Sequence, residues 1–332
     1  MSGVEVSVVI VDYNAGPDLR NALQSIAAEL RDVRWEAVVV DNASSDGSAE
    51  IVRARFPDCA RIINETNRGF AAAANQGIRA ARGEFVLLCN PDAFLGPEYA
   101  ARLASALDEA GEPFGMATGK LMRALGDEIE PLDAIDSMGV RMTRTGRHLD
   151  IDGEPALSRL STPEPPEKRR YTEVFGVSGA AGMYTKSFIN TVSINDEFFD
   201  EDFFAYREDA DVAWRGQLFG WKALYVPEAV AWHVRRVTPA ARRSLPPEIN
   251  MHSVKNRFLL RLKNEGAYLA LRNAPFELFR DAVTIGAVLT LERSSLPALS
   301  WLWRNRRRIL EKRRAVQRRR RVSDRELARW FR

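Results

Sequence analysis

Cysteine is nearly missing from this chain of 332 residues: only Cys59 and Cys89 occur, together with three histidines. Neither cysteine lies in a Cys-x-x-Cys pair or beside a metal-spaced histidine. That excludes a disulfide scaffold and a structural zinc site, and it fits a reducing, cytoplasmic setting. Long apolar runs are missing as well. The run Val6 to Val11 stops at Asp12 and has no basic segment before it, so no signal peptide is expected. The longest late run, Ala282 to Leu291, falls short of the roughly 20 residues a spanning helix needs, which leaves only peripheral contact with the inner face of a membrane. Two familiar nucleotide signatures fail: Gly176 to Gly182 lacks the Gly-x-Gly-x-x-Gly spacing, and Gly115 to Leu121 is one residue short of a P-loop and lacks its Ser/Thr. Neither a dehydrogenase nor a P-loop NTPase is supported, and no internal repeat is found.

What is present is a composition for a sizeable core, with 45% hydrophobic and 9% aromatic residues. The formal net charge of +3 is unevenly spread. Residues 304–321 hold eleven Arg or Lys against Glu311 alone, a local charge of +10, so the remainder of the chain is at −7. The first part alternates strand and helix signals. Val6 to Val11, Ala37 to Val40, Arg61 to Ile63 and Glu84 to Leu88 read as strands, separated by helices that include one with Leu19, Leu23, Ile26 and Leu30 on a single face and an alanine-rich one from Gly69 to Arg82. Such alternation predicts an α/β fold with a mainly parallel sheet, whose ligands sit beyond the carboxyl ends of the strands. The polar residues there are Asp12-Tyr13-Asn14, Asp41-Asn42, Asn64 to Asn67 and Asn90-Pro91-Asp92. Residues 120–170 read as a hairpin excursion with a turn-rich loop at 161–168, and the chain turns helical after Pro239, Pro246 and Pro247.

Carboxylates at strand ends suit a nucleotide diphosphate held through a hard cation, Mg²⁺ or Mn²⁺, which takes one or two carboxylates and completes its shell with phosphate oxygens and water. Asp92 is the candidate ligand, although Asn-Pro-Asp also reads as a turn. Glu208 and Asp209 open a helix on which Asp211 and Arg215, four apart, can pair. That leaves Asp209 either as a carboxylate favoured by the helix N-terminus or as a reacting group.

The order of motifs carries a resemblance. Val8 to Asn14, Val39 to Ser48, Asn67 to Ala71 with Asn75-Gln76-Gly77, Leu88 to Asp92, Gly179-Ala180, Phe199 to Phe204 and Tyr206 to Arg215 together resemble family 2 inverting glycosyltransferases, in particular their rhamnosyltransferase-like branch, over roughly residues 4–235. The resemblance implies a GT-A domain over 1–235, a Rossmann-like sheet flanked by helices, followed by a helical C-terminal region with an arginine-rich tail over 236–332. Tyr13, Asn14 and Asp41 are then expected at the nucleoside, and Asn67, Arg68 and Gly69 beside the sugar diphosphate. Asn90 stands where the first Asp of an Asp-x-Asp element is usual, and Asp92 meets the metal. Gly179 and Ala180 flank the donor sugar or acceptor, Asp209 is the base, and Glu208 positions the acceptor. His233 is either a second group near the metal or a structural histidine, since the following Val234-Arg235-Arg236 departs from the family pattern; Arg235 and Arg236 could instead hold phosphates. His252 with Lys255-Asn256-Arg257 resembles the helix that closes the acceptor side in this family, although Lys255 and Arg257 also read as a solvated helix face.

The activity so implied is hexosyl transfer with inversion from dTDP-L-rhamnose to an envelope glycan or polyprenyl-diphosphate-linked acceptor, the alternative donor being a UDP-sugar. A polyanion- or nucleic-acid-binding protein on an inactive fold is disfavoured by the −7 of the body. A homodimer remains open. In the tail, Leu302, Ile309 and Val316 recur every seven residues among arginines, an arrangement expected either to rest on an anionic membrane surface or to pack on the catalytic domain or a second subunit with its arginines solvated; on the membrane reading, truncation after Pro297 leaves donor hydrolysis intact.

Overall fold

The computed structural model describes residues 5–29, 34–126, 129–152, 170–235 and 246–332. Leu30, the loop at 161–168, Arg236 and Pro239 lie outside these residues. Strand β1 (Val6–Asp12) is buried along its whole length, because alternate residues point to opposite faces and both faces are covered. Val9 and Val11 join one core with helix α3 (Phe70–Ala80). Val6, Val8 and Ile10 join another with α1 (Gly16–Glu29) and α4 (Tyr99–Ala110). Close seating of α3 depends on Gly77, where a Cβ would lie 2.4 Å from Val9 Cγ1.

The main sheet begins as a parallel set: β3 (Ala60–Ile63), β2 (Trp35–Asp41), β1, then β4 (Phe85–Cys89), with α2 (Ser48–Arg55) between β2 and β3. The first helix after β4 follows a short strand, β5 (Ala93–Leu95). Beyond β4 the sheet becomes mixed. The later strands are β6 (Phe114–Leu125), β7 (Glu130–Ser137), β8 (Val140–Met142), β9 (His148–Asp150), β10 (Thr172–Val174), β11 (Ala181–Thr185) and β12 (Lys222–His233). Antiparallel β11 separates β4 from β6, which runs parallel to β12, while β5, β7 and β10 pair at the margins. β8 and β9 form a separate hairpin. Helices α5 (Lys186–Val192) and α6 (Glu208–Phe219) complete the α/β part.

After residue 246 the described chain is helical: α7 (Pro247–Asn264), α8 (Ala267–Thr290), α9 (Leu296–Arg304), α10 (Arg306–Arg318) and α11 (Asp324–Leu327). The heptad stripe of the tail does not face outward. Ile309 and Val316 are buried in the same core as Trp214 and Phe175, Leu302 packs against it, and the terminal Trp330 and Phe331 close over it. Burying the stripe against the α/β part removes more apolar surface from water than leaving it exposed, so this face is not available to a membrane. Lys255 and Arg257 are also corrected. Both are buried: Lys255 donates to the Asp202 carbonyl at 2.5 Å, and Arg257 pairs with Asp281 at 3.1 Å.

Candidate active site

The parallel strands end in register, Asp12 opposite Asp41, so two carboxylates stand side by side at one edge of the sheet. Both are buried, and burial together with the Asp41 charge pushes Asp12 up to about 6. Tyr13 follows with its ring 53% exposed, and Asn14 takes a left-handed conformation (φ 56°). That turn is pinned from β2: Asn14 N–H donates to Ser44 Oγ at 3.0 Å, Asn14 Oδ1 accepts from Ser45 N–H at 2.7 Å, and Asp41 Oδ1 accepts from Ser44 N–H at 2.9 Å. A buried amide network continues the edge. Asn42 donates to Asn67 Oδ1 at 2.9 Å, accepts from Asn64 at 3.0 Å and takes the Arg68 N–H at 3.1 Å. This leaves the Arg68 side chain exposed at the rim. Gly69 (φ 82°) admits the close approach of Phe204, whose ring would lie 2.5 Å from a Cβ there.

The next strand end brings the remaining groups together. Asn90 N–H donates to the Ala180 carbonyl at 2.8 Å, and the neighbouring Gly179 N–H donates to Asp209 Oδ2 at 3.3 Å. Asp92 stands opposite the end of β12, where His233 Nε2 lies 3.3 Å from its carboxylate. The other nitrogen, Nδ1, sits 2.8 Å from the buried Asp136 on β7. Burial alone would lower His233, but hydrogen bonds to Asp136 and Asp92 outweigh it and push it up to about 9. A histidine oriented by a carboxylate behind it and facing a second carboxylate is a donor set that fits a divalent cation. Among the described residues no group of three or more His, Cys, Asp or Glu side chains could hold a metal, so phosphate oxygens and water would have to complete the shell. Arg235 is committed elsewhere, to Asp136 at 2.9 Å and to Asp150 of β9 at 2.7 Å.

Glu208 and Asp209 open α6 behind a strained approach. Phe204, Tyr206 and Arg207 all have positive φ (65°, 71° and 73°), a conformation that costs non-glycine residues about 1–3 kcal/mol each. Asn256 of α7 holds this loop by donating to the carbonyls of Phe203, Ala205 and Tyr206 at 2.9, 2.8 and 2.8 Å, and His252 stacks on Phe204 at 4.5 Å. Burial raises both carboxyls, Asp209 to about 6 and Glu208 to about 8, Glu208 being pushed further by the charge of Asp209. Both carboxyls thus hold their protons more tightly than exposed ones, Glu208 the more so because it faces the charge of Asp209. As the spacing predicts, Asp211 pairs with Arg215 (2.9 Å) and turns inward. Asn42 is among the polar residues that the strand ends point to, and Asn256 lies in the segment that resembles an acceptor-side helix, whereas Asp136 and Asp150 carry no local signal, since each matters only through partners far along the chain.

Together these features define a GT-A glycosyltransferase fold with its polar residues gathered at the carboxyl ends of the parallel strands. The sequence model described as "Glycosyl transferase family 2" matches residues 7–188, more than half of the chain, and the protein belongs to that family. An N-acetylglucosaminyl-diphospho-decaprenol L-rhamnosyltransferase of Mycobacterium tuberculosis is 29% identical over 242 residues, 68% of this chain and 75% of that protein. Among solved structures, GalNAc-T7 with UDP, GalNAc and Mn²⁺ superposes with a TM-score of 0.61 at 15% identity. It covers 79% of this chain, which spans about half (48%) of that one. The mannosyltransferase PcManGT of Pyrobaculum calidifontis, with GDP-Man and Mn²⁺, gives a TM-score of 0.54 at 19% identity, covering 96% of this chain and 84% of its own. These likenesses show the fold, and the protein is a glycosyltransferase.

Proposed function

We propose that the protein transfers a hexose, L-rhamnose from dTDP-L-rhamnose, with inversion, to a hydroxyl of a glycan carried on a polyprenyl diphosphate. The observation that carries the reaction class is the position of Asp209: a buried carboxylate held by the Gly179 N–H, one residue from the Ala180–Asn90 hydrogen bond that leads to Asp92. In this reading the acceptor hydroxyl gives its proton to Asp209 as its oxygen bonds to the anomeric carbon. The bond from that carbon to the donor's diphosphate oxygen breaks, and its electron pair leaves with the diphosphate. Protonated Glu208 donates a hydrogen bond that positions the acceptor. Tyr13, Asn14 and Asp41 bind the nucleoside, Asn67, Arg68 and Gly69 line the path of the diphosphate, and Asn90, Gly179 and Ala180 border the sugar.

Asp92 and His233 would hold Mg²⁺ or Mn²⁺, with Asp136 fixing the imidazole. Once bound, the cation supplies positive charge to the departing diphosphate. The sugar and the acceptor class rest on the mycobacterial L-rhamnosyltransferase, 29% identical, whose acceptor is N-acetylglucosaminyl-diphospho-decaprenol, and the dTDP carrier rests on the resemblance of the motifs. The test is incubation with dTDP-L-rhamnose or a UDP- or GDP-sugar, Mn²⁺ or Mg²⁺, and a GlcNAc-diphosphate-polyprenol acceptor, with the product read by NMR. Transfer from dTDP-L-rhamnose to give the opposite anomeric configuration is expected. A product that keeps the donor's configuration refutes the mechanism, and transfer from a UDP-sugar alone refutes the donor.

A further inference from the structure

Helix α8 is built inside out. Its inward face carries the fully buried Asn273 and the carboxylates Glu277 and Asp281, which pair with Arg261 (2.9 Å) and Arg257 (3.1 Å) of α7. Its outward face carries Leu271, Leu278, Phe279, Val283 and Leu289, exposed by 79, 68, 73, 47 and 52%, and Leu291 just past its end is 87% exposed. These positions fall three or four apart, with the exposed Pro275, Ala282 and Gly286 between them, so they form one stripe. Single exposed leucines need no explanation, but a contiguous apolar face on a helix that turns its charges inward marks a surface covered by something apolar.

Charge distinguishes the cover. Residues 267–307 contain three acids, Glu277, Asp281 and Glu292, and none is exposed, whereas Arg293, Arg304, Arg306 and Arg307 are. Trp303 is 69% exposed, with the Arg306 guanidinium 4.4 Å from its ring centre. A second copy docked through this segment across a two-fold axis would bring its exposed arginines toward one another, with no exposed acid in the segment to answer them. An anionic bilayer supplies both an apolar layer and negative headgroups, and tryptophan and arginine favour the boundary between them. Among the described residues no helix is long and apolar enough to cross a membrane, so α8 would lie in the plane of the interface.

We propose that the outward face of α8, with Trp303 and the arginines beside it, seats in the interfacial layer of an anionic membrane. The same helix adjoins the acceptor side of the site. Arg144, in the turn between β8 and β9, lies 4.0 Å over the Phe276 ring and donates to the Arg272 carbonyl at 3.2 Å, and the hairpin it belongs to carries Asp150, whose charge acts on Asp209. A lipid-linked acceptor would thus be met at the surface that holds it; this last step rests on the proposed function.

Flotation of the full chain with phosphatidylcholine vesicles, with and without phosphatidylglycerol, tests the surface. Binding only to the anionic vesicles is expected. Leu278→Ser combined with Phe279→Ser should lower partitioning about a hundredfold, since two large side chains each lose about tenfold of transfer affinity. Arg304→Glu/Arg306→Glu/Arg307→Glu should abolish the preference for anionic lipid. Wild-type protein that binds neither vesicle, or both equally, overturns the proposal. So does a wild-type dimer that becomes monomeric in the Leu278→Ser/Phe279→Ser variant while vesicles are ignored. Donor hydrolysis without acceptor, measured in parallel, separates the two readings: vesicle binding without hydrolysis leaves this surface standing and removes the function, and hydrolysis without binding does the reverse.

Discussion

Asp211→Ala tests whether the C-terminal helices and helix α6 are one structural unit. The Asp211 side chain is fully buried and answers three groups: Arg215 Nε at 2.9 Å, Lys263 Nζ at 3.0 Å and Asn264 Nδ2 at 2.7 Å. Arg215 and Lys263 have 1% and 2% of their side chains exposed, so neither reaches water when the carboxylate is lost. Asp200 cannot compensate both. Burial would raise it, yet Lys263 and Lys312 together hold it far below the usual carboxylate range, so its charge is already engaged. Removing one member of a buried ionic cluster costs about 3–5 kcal/mol. An unfolding entropy of about 2.1 cal/mol/K per residue gives roughly 0.7 kcal/mol/K for 332 residues, so the midpoint should fall by about 4–7 °C.

Urea and thermal unfolding, followed by far-UV circular dichroism and tryptophan fluorescence together, measure this loss. The two probes should move together because Trp214 lies in α6 and Trp301 in α9. Adding Lys263→Met to the variant should restore part of the loss by taking one uncompensated cation out of the interior. A loss below about 1 kcal/mol, or helices α7 to α10 melting in a separate earlier step, would refute the claim that the two parts fold as one.

Asp209→Asn should lower kcat about a hundredfold or more with donor binding retained, and wild-type kcat/KM should rise with pH through about 6 as the buried carboxyl ionises; a variant with comparable turnover, or a profile flat through that range, removes it as base. Asn256→Ala frees three carbonyls of the strained loop and should reduce kcat about tenfold with a smaller change in donor KM; equal effects on both would make it a general stability residue. Asp92→Ala should weaken donor binding in a Mn²⁺ titration, and unchanged donor affinity by calorimetry would take it out of the metal site. Truncation after Pro297 should abolish donor hydrolysis, contrary to the expectation from the tail's composition, because it removes Ile309, Val316 and Lys312 from the core and from Asp200; retained hydrolysis at wild-type stability would contradict the packing described.

The strand ends were legible in the sequence because a buried parallel strand writes its boundaries locally: an apolar β-branched run, then an abrupt carboxylate or amide. Asp12, Asp41 and Asp92 are visible for that reason, and the i to i+4 spacing of Asp211 and Arg215 is equally local. The roles of Asp136 and Asp150, and the three carbonyls that Asn256 holds, are not legible. Asn256 acts on carbonyls some fifty residues earlier, and a buried amide has no periodicity of its own. The tail misled in a specific way. Its arginines were read against water or lipid, but Lys312 spends its charge on Glu197, Asp200 and Asp202, and Arg308 on Asp202. The acidic motif Phe199 to Phe204 and the basic helix α10 are halves of one ionic cluster, so part of the charge asymmetry along the chain cancels within the fold.

That cancellation bears on how the site is kept in shape. Positive φ at Phe204, Tyr206 and Arg207 would relax if the loop were free, and relaxation would move Glu208 and Asp209, which begin α6 immediately after it. The restraints come from one side: Asn256 on the carbonyls, His252 on the Phe204 ring, Lys263 on Asp200 and Asp211, and Lys312 on Asp200. Every one of these residues lies beyond residue 188, where the family match ends. In the proposed assignment the motif residues are the reacting groups, and the helices that follow hold the loop that precedes them. A substitution in α7 or α10 that preserves the fold is therefore expected to act on turnover before it acts on donor binding, since the donor side is built from β1 to β4 and is held by its own network of Asn42, Asn64 and Asn67.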